Sequence, residues 1–140
     1  TYFGVIMVFC SLYMAFSVLL FTGFIKTIPR QLDEAAVMDG CGPIRTFFLV
    51  IFPLLLPVIV TGIIVVFMNV WNNFMIPLYF LSDSSKWPMP LTVYNFFGKY
   101  QSSWNLVFAD LVMTALPILL VYLLGQKYII DGMTTGAVKG

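Results

Sequence analysis

Histidine is absent from the 140 residues, cysteine occurs twice, and charged residues make up only 9%. Each shortage closes a class of function. Without histidine, and with Cys10 in an apolar run and Cys41 in a polar loop, there is no zinc-ligand spacing and no paired thiol. A net charge of +1 is too small, and its charges too scattered, for a nucleic-acid surface or a polybasic lipid-binding patch. General acid and base catalysis needs paired titratable groups within reach, and one carboxylate inside an apolar run, beside hydroxyls and amides, is a poor set for an enzyme. The glycines of the last residues lack a Walker pattern and a preceding strand, so this chain is not expected to hydrolyse ATP or to bind a cofactor or metal itself.

What remains is apolar: 61% of the residues are hydrophobic, which makes the lipid bilayer the expected solvent. A hydrocarbon core takes about 20 helical residues at ~1.5 Å each. Three runs reach that length, Tyr2 to Ile25, Phe47 to Val70 and Leu106 to Leu124. The expected fold is an all-α integral membrane protein with three transmembrane helices. Its segments are a span at 1–25, a cytoplasmic loop at 26–46, a span with a proline-broken start at 47–81, an extracytoplasmic loop at 82–104, a span at 105–125 and a cytoplasmic tail at 126–140. The sides follow from Lys26, Arg30, Arg45, Lys127 and Lys139, which outnumber Lys86 and Lys99 of the second connection. The run from Tyr2 has neither a basic flank nor a small-residue cleavage site, so it does not read as a signal peptide, and the chain reads as truncated at its start.

Polar and small residues inside the runs carry further expectations. Gly4, Ser11, Ala15 and Thr22 share a helical face suited to close helix packing. Pro53 and Pro57 each remove a backbone donor, which predicts a kinked or broken entry to the second span. Gly62, Asn69, Asn73 and Ile76 fall on one face, with Asn72 beside it. Amides are costly against lipid, so that face is expected to point into protein or a watery path; path lining and interhelical hydrogen bonding both stand open. Asp110 and Thr114 share a face of the third span, with Pro117 a turn further. Asp110 lies about a turn from the expected outer end, where water lowers its cost, which favours a vestibule or interface carboxylate over a proton relay.

The first connection carries the most specific punctuation. Thr27 or Ile28 can cap, Pro29 suits a first turn and Gly40 a left-handed stop, which predicts a short helix from Pro29 to Asp39. Gly42 and Pro43 then restart a helix leading into the next span. Leu32, Ala35, Ala36 and Asp39 follow helical spacing and make a short, smooth face ending in a carboxylate. Glu34, a turn after Arg30, can pair with it or with a basic group on a partner. An ordinary solvated loop helix and a docking element are both compatible with this pattern. The second connection is rich in aromatics, Trp87, Tyr94, Phe96, Phe97 and Tyr100, which suit interface anchoring or stacking on cargo. Pro88 and Pro90 precede a short amphipathic piece from Leu91 to Lys99, and the tail after Lys127 is expected to fray.

The sequence Glu34, Ala35, Ala36, two residues, Asp39, Gly40, followed a dozen residues on by Phe52, Pro53 and Pro57, resembles the EAA loop of ABC importer permeases. Trp71, Asn72, Asn73, Phe74, Pro77 and Leu78 resemble a tryptophan-asparagine-acidic-phenylalanine motif of sugar permeases related to the maltose system, with Asn73 in place of the commoner aspartate. The ending from Gln126 through Gly140 is similar to the tail of the same subfamily. Leu in place of Phe52 and Ala in place of Cys41 are more usual there. The resemblance implies the C-terminal half of a six-helix permease in a bacterial plasma membrane, its first three spans preceding Thr1. It implies Glu34, Ala35, Ala36, Asp39 and Gly40 as a coupling helix on a cytoplasmic ATPase subunit, which would hold ATP and Mg. A second permease and an extracytoplasmic solute-binding protein are the other implied partners. Asn69, Asn72, Asn73 and Asp110 are the candidates for the translocation path. A permease for a non-sugar solute, or a membrane scaffold or sensor, is the alternative reading.

Overall fold

A computed structural model describes residues 1–96 and 103–137, with side chains as far as 126. Among the described residues every regular element is helical. Three helices are long and apolar enough to cross a membrane: Tyr2–Ile25, Pro43–Trp71 and Trp104–Gln126. The first, α1 (Tyr2–Ile25), is apolar around its whole circumference and buries none of its residues within the chain, as expected of a helix whose solvent is lipid or further protein.

The chain forms two compact units. One comprises Met14–Ile63 with the residues from Gly125 onward. In it α1 ends at Ile25, α2 spans Gln31–Met38 and α3 spans Pro43–Thr46; a π turn at Phe47–Ile51 then leads into α4, Phe52–Trp71. Helix α2 packs on α3 and the π turn. Ala36, Leu55 and Val58 are buried, and so is Thr46.

The π turn replaces the broken entry expected from the prolines. Pro53 and Pro57 both lie in the span, and a proline ring collides with the carbonyl four residues before it. Just before Pro53 the Phe52 amide donates to the Phe47 carbonyl, five residues back, so the turn is widened rather than broken. The span is therefore continuous and starts at Pro43, four residues ahead of the expected Phe47.

Close helix approach in this unit centres on Gly62, not on the small-residue face of α1. A Cβ built on Gly62 would lie 3.2 Å from Leu20 Cδ2, whereas Ala15 and Thr22 are exposed. Of the rest of that face, which belongs to the other unit, Gly4 does have a neighbour, Phe80 Cδ1 at 3.7 Å from a Cβ there, and Ser11 is exposed. Ser11 spends its hydroxyl on the Met7 carbonyl of its own helix, at 2.8 Å.

The other unit comprises Thr1–Tyr13 and Ile64–Leu124. Here α4 ends at Trp71, and α5 (Met75–Phe80) follows after a short break. The expected single helix through residue 81 is thus two helices. Asn72 and Asn73 explain the break, because amide side chains bond nearby backbone groups and compete with the helix ladder. Pro77 falls in the first turn of α5, where its missing N–H would have been unpaired anyway. Next come a 3₁₀ turn at Ser84–Lys86, α6 at Met89–Thr92, a 3₁₀ turn at Val93–Phe96, and α7 at Trp104–Ala137. The helical piece expected to begin at Leu91 begins instead at Met89, directly after Pro88; its later part, with Phe97, Lys99 and Tyr100, lies outside the described residues.

Leu81, Leu91 and Val107 are buried in this unit, Leu91 completely; withdrawing one leucine side chain from water contributes on the order of 2 kcal/mol. The Trp87 indole N–H donates to the Leu81 carbonyl at 2.9 Å, and the Phe74 and Tyr94 rings meet at 5.2 Å. Trp87 is therefore a half-buried strut, not a freely exposed aromatic. The tail differs from expectation as well: α7 continues without interruption past Leu124 to Ala137, with Pro117 inside it, where fraying was expected after Lys127.

Candidate functional site

The loop between the first two spans is built around two glycines with different tasks. Helix α2 closes in a Schellman motif: the Cys41 N–H donates to the Ala36 carbonyl at 2.9 Å and the Gly40 N–H to the Val37 carbonyl at 3.0 Å. Gly40 has φ of +77°, the one positive value among the described residues, which an L side chain adopts only under strain. Gly42 is extended and precedes Pro43, which occupies the first turn of α3. Asp33 and Glu34 lie in the first turn of α2, where a negative charge suits the helix dipole.

Thr27 and Ile28 do not cap this helix. The Thr27 hydroxyl donates to the Phe24 carbonyl at 2.7 Å and closes the preceding helix instead. Nor does Arg30 pair with Glu34: among the described residues the ion pair that forms is Lys86 with Asp83, at 3.4 Å. Glu34 is exposed and points its charge to the surroundings.

The smooth face expected from helical spacing is divided by the fold. Ala36 is 5% exposed, the buried position of α2, while Leu32, Ala35 and Asp39 remain exposed. Ala36 is thus the inward anchor of the loop, and its small size lets α2 approach the segment that follows. The exposed surface consists of Glu34, Ala35 and Asp39 with the Gly40 turn. Beside it lies an open apolar groove of about 680 Å³ lined by Gly42, Pro43, Ile44, Arg45, Phe48 and Leu49. A short helix offering a charge and a small side chain, next to an apolar groove, can engage another protein; it contains no catalytic grouping.

The polar residues of the spans are not brought together as one face. Asn69 and Asn72 are exposed, and each donates its amide to its own helix, to Val65 O at 2.8 Å and Met68 O at 2.9 Å. Asn73 leaves the face altogether: its Oδ1 accepts the Ile76 N–H at 2.9 Å and starts α5. Because the helix ends at Trp71, Asn73 and Ile76 do not continue the Gly62–Asn69 stripe. An asparagine two residues before the first residue of a helix, with a proline in that first turn, is a start signal that helical periodicity alone passes over.

Asp110 and Thr114 hold positions that hydropathy could not foretell. Asp110 Oδ1 accepts a hydrogen bond from Thr92 Oγ1 at 2.9 Å. Its Oδ2, like Thr114 Oγ1, is buried without a hydrogen-bond partner. The Thr114 backbone carbonyl accepts the Trp71 indole N–H at 3.0 Å. Among the described residues there is no group of three metal-ligating side chains.

These features define a helical membrane protein with a helix-turn-helix connection between its first two spans. Residues 1–134 match the family described as the binding-protein-dependent transport system inner membrane component, and the chain belongs to that family. It is 40% identical over 129 residues to the melibiose/raffinose/stachyose import permease protein MelC of Bacillus subtilis (strain 168), an alignment covering 91% of this chain and 47% of that protein. Identity to the multiple sugar-binding transport system permease protein MsmG of Streptococcus mutans is 40%, covering 97% and 50%. To the trehalose/maltose transport system permease protein MalG of Thermococcus litoralis it is 36%, covering 84% and 42%. The chain spans about half the length of the curated relatives it matches. These relatives are transport permeases, not enzymes.

Proposed function

We propose that the protein containing this chain is a permease subunit of an ATP-driven, binding-protein-dependent carbohydrate importer of the bacterial plasma membrane. The first connection and the C-terminus face the cytoplasm in this reading. The observation that carries it is the Schellman-closed helix Gln31–Met38, with Glu34 and Ala35 exposed beside the Gly40 turn, in a chain whose relatives are named for sugar import. An ATPase subunit, holding ATP and Mg, would seat this helix. A second permease subunit would complete the path, and a solute-binding protein would deliver the saccharide from outside. Closure of the ATPases on ATP would move the loop, and the spans would switch from inward-facing to outward-facing.

The loop is suited to transmit such motion because it is stiff. Ala36 ties α2 to the segment Pro43–Ile51, so a push on Glu34 or Ala35 is passed directly to the start of the second span. The π turn at its entrance is a place where helix geometry can change without losing the span. Asn69 and Asn72 are candidates for the path by their exposure. Asn73 and Asp110, each engaged by a neighbouring group, take part through position rather than by direct contact with cargo.

The test is co-purification of the full-length protein with its ATPase, followed by saccharide uptake in vesicles. Glu34→Lys and Gly40→Pro are expected to insert normally but to lose uptake. Wild-type uptake by both variants would refute coupling through this loop, and full-length protein that brings down no ATPase would favour a scaffold or sensor.

A further inference from the structure

We propose that Asp110 is a positioning residue: through Thr92 it holds the outer segment Met89–Phe96 on the third span, and this hold is released and remade during transport. The proposal rests on the importer reading above. Thr92 and Asp110 lie 18 residues apart, and their hydrogen bond joins a connection to a span by side chains. Leu91, next to Thr92, has no exposed surface, and Trp87 is fastened to the Leu81 carbonyl, so the segment has a defined seat.

Three details make the seat reversible. First, Thr92 Oγ1 is 2.7 Å from the Met89 carbonyl as well as 2.9 Å from Asp110 Oδ1. A hydroxyl has one hydrogen, so the two acceptors compete for it. When Asp110 is released, Thr92 keeps a full partner within its own helix, and the segment is left with no unpaired donor. Second, Asp110 Oδ2 and Thr114 Oγ1 are buried and unpartnered in the seated arrangement. A carboxylate oxygen held without a partner beside the Thr92 bond opposes the seat, and water admitted by its opening would satisfy it. Third, Asp110 is six residues from Trp104, the start of α7, about 9 Å along the helix at the ordinary rise, so water from the outer surface has a short way to come. Favourable packing of Leu91 against unfavourable desolvation of Asp110 makes a two-position element, of the kind a ligand or partner can bias.

The experiment uses the full-length permease assembled with its ATPase and partner permease in vesicles. Every cysteine of the full-length permease, Cys10 and Cys41 included, is replaced by serine, and Thr92→Cys and Asp110→Cys are introduced together. Disulfide formation is timed without nucleotide and with a non-hydrolysable ATP analogue, and saccharide uptake is read before and after oxidation. The expected result is cross-linking at rates several-fold different in the two states. The reduced double variant, lacking the Asp110 carboxylate, takes up less than the parent, and the uptake it keeps is lost on oxidation and regained on reduction. Equal rates, absence of a cross-link in both states, or undiminished uptake by the cross-linked protein would overturn the proposal. A second pair of variants keeps positioning apart from packing: Asp110→Asn, which retains Oδ1, is expected to preserve uptake, and Asp110→Leu to lower it. Equal uptake by the two would also overturn it. Failure of the importer reading is seen separately, as absence of uptake in the parent protein; the cross-linking rates still report whether the seat opens.

Discussion

The Trp71 indole N–H donates to the Thr114 backbone carbonyl at 3.0 Å, across 43 residues of sequence, and so ties the end of α4 to the middle of α7. Its acceptor lies in the helical turn just ahead of Pro117, where a proline withholds an N–H and loosens the carbonyl ladder. Trp71→Phe keeps most of the apolar area and removes the donor. The expected cost is about 1 kcal/mol, read as a lower midpoint in thermal unfolding of the detergent-solubilised full-length protein. An unchanged midpoint would mean that the bond contributes nothing.

Gly62 is a contact determinant. A methyl there meets Leu20 Cδ2 at 3.2 Å, the far end of a flexible side chain, so Gly62→Ala is expected to be tolerated. Gly62→Val adds bulk that cannot move aside and is expected to cost about 1 to 3 kcal/mol. Leu20→Ala should recover part of that loss in the double variant. Strict additivity of the two single effects in the same unfolding assay would disprove the contact.

Asn73 starts α5 through its side-chain carbonyl. Asn73→Asp keeps that acceptor and is expected to fold and function normally. Asn73→Ala leaves the Ile76 N–H unpaired at a cost of about 1 kcal/mol, visible as faster hydrogen exchange over Met75–Phe80. Equal exchange in the two variants would exclude the capping role.

Asp83 organises the Ser84–Lys86 turn of the second connection. The Ser85 hydroxyl and then the Ser85 backbone N–H donate to its carboxylate, with Lys86 adding a weaker attraction, and these hold its pKa below the ordinary carboxylate value. A depressed folded-state pKa gives stabilisation that is present above the unfolded value and is lost as pH falls through the folded one. The turn is therefore expected to stay closed at neutral pH and to loosen only below the usual carboxylate range. Trp87, which follows the turn, is the reporter: its fluorescence should change with acid in the parent and not in Asp83→Asn. The same acid response in both would assign it to another group.

The loop at Glu34–Gly42 was legible because its signals are local. A glycine that must take φ of +77° and Pro43 in the first turn of α3 act within a few residues, and both stand where the sequence puts them. Pro29, expected in the first turn of the loop helix, instead lies two residues ahead of its start at Gln31. Asn73 was misread for the opposite reason: helical periodicity assigns it to a face, and the helix that would have carried that face stops at Trp71. Ala36 illustrates the limit of spacing. Leu32, Ala35, Ala36 and Asp39 share one face on a helical wheel, but which part of that face turns inward depends on where Pro43–Ile51 lies against it.

The sequence by itself determined that the chain is helical and apolar enough to cross a membrane three times, because the solvent of each residue is written in its transfer free energy. It also fixed the closing glycine of the loop, because backbone sterics are local. Only the tertiary structure decided that Ala36 is an anchor, that Gly62 receives Leu20, and that Asp110 meets Thr92. Each of these is a meeting of residues distant in sequence, and pairings of that kind follow from packing, which no local pattern encodes.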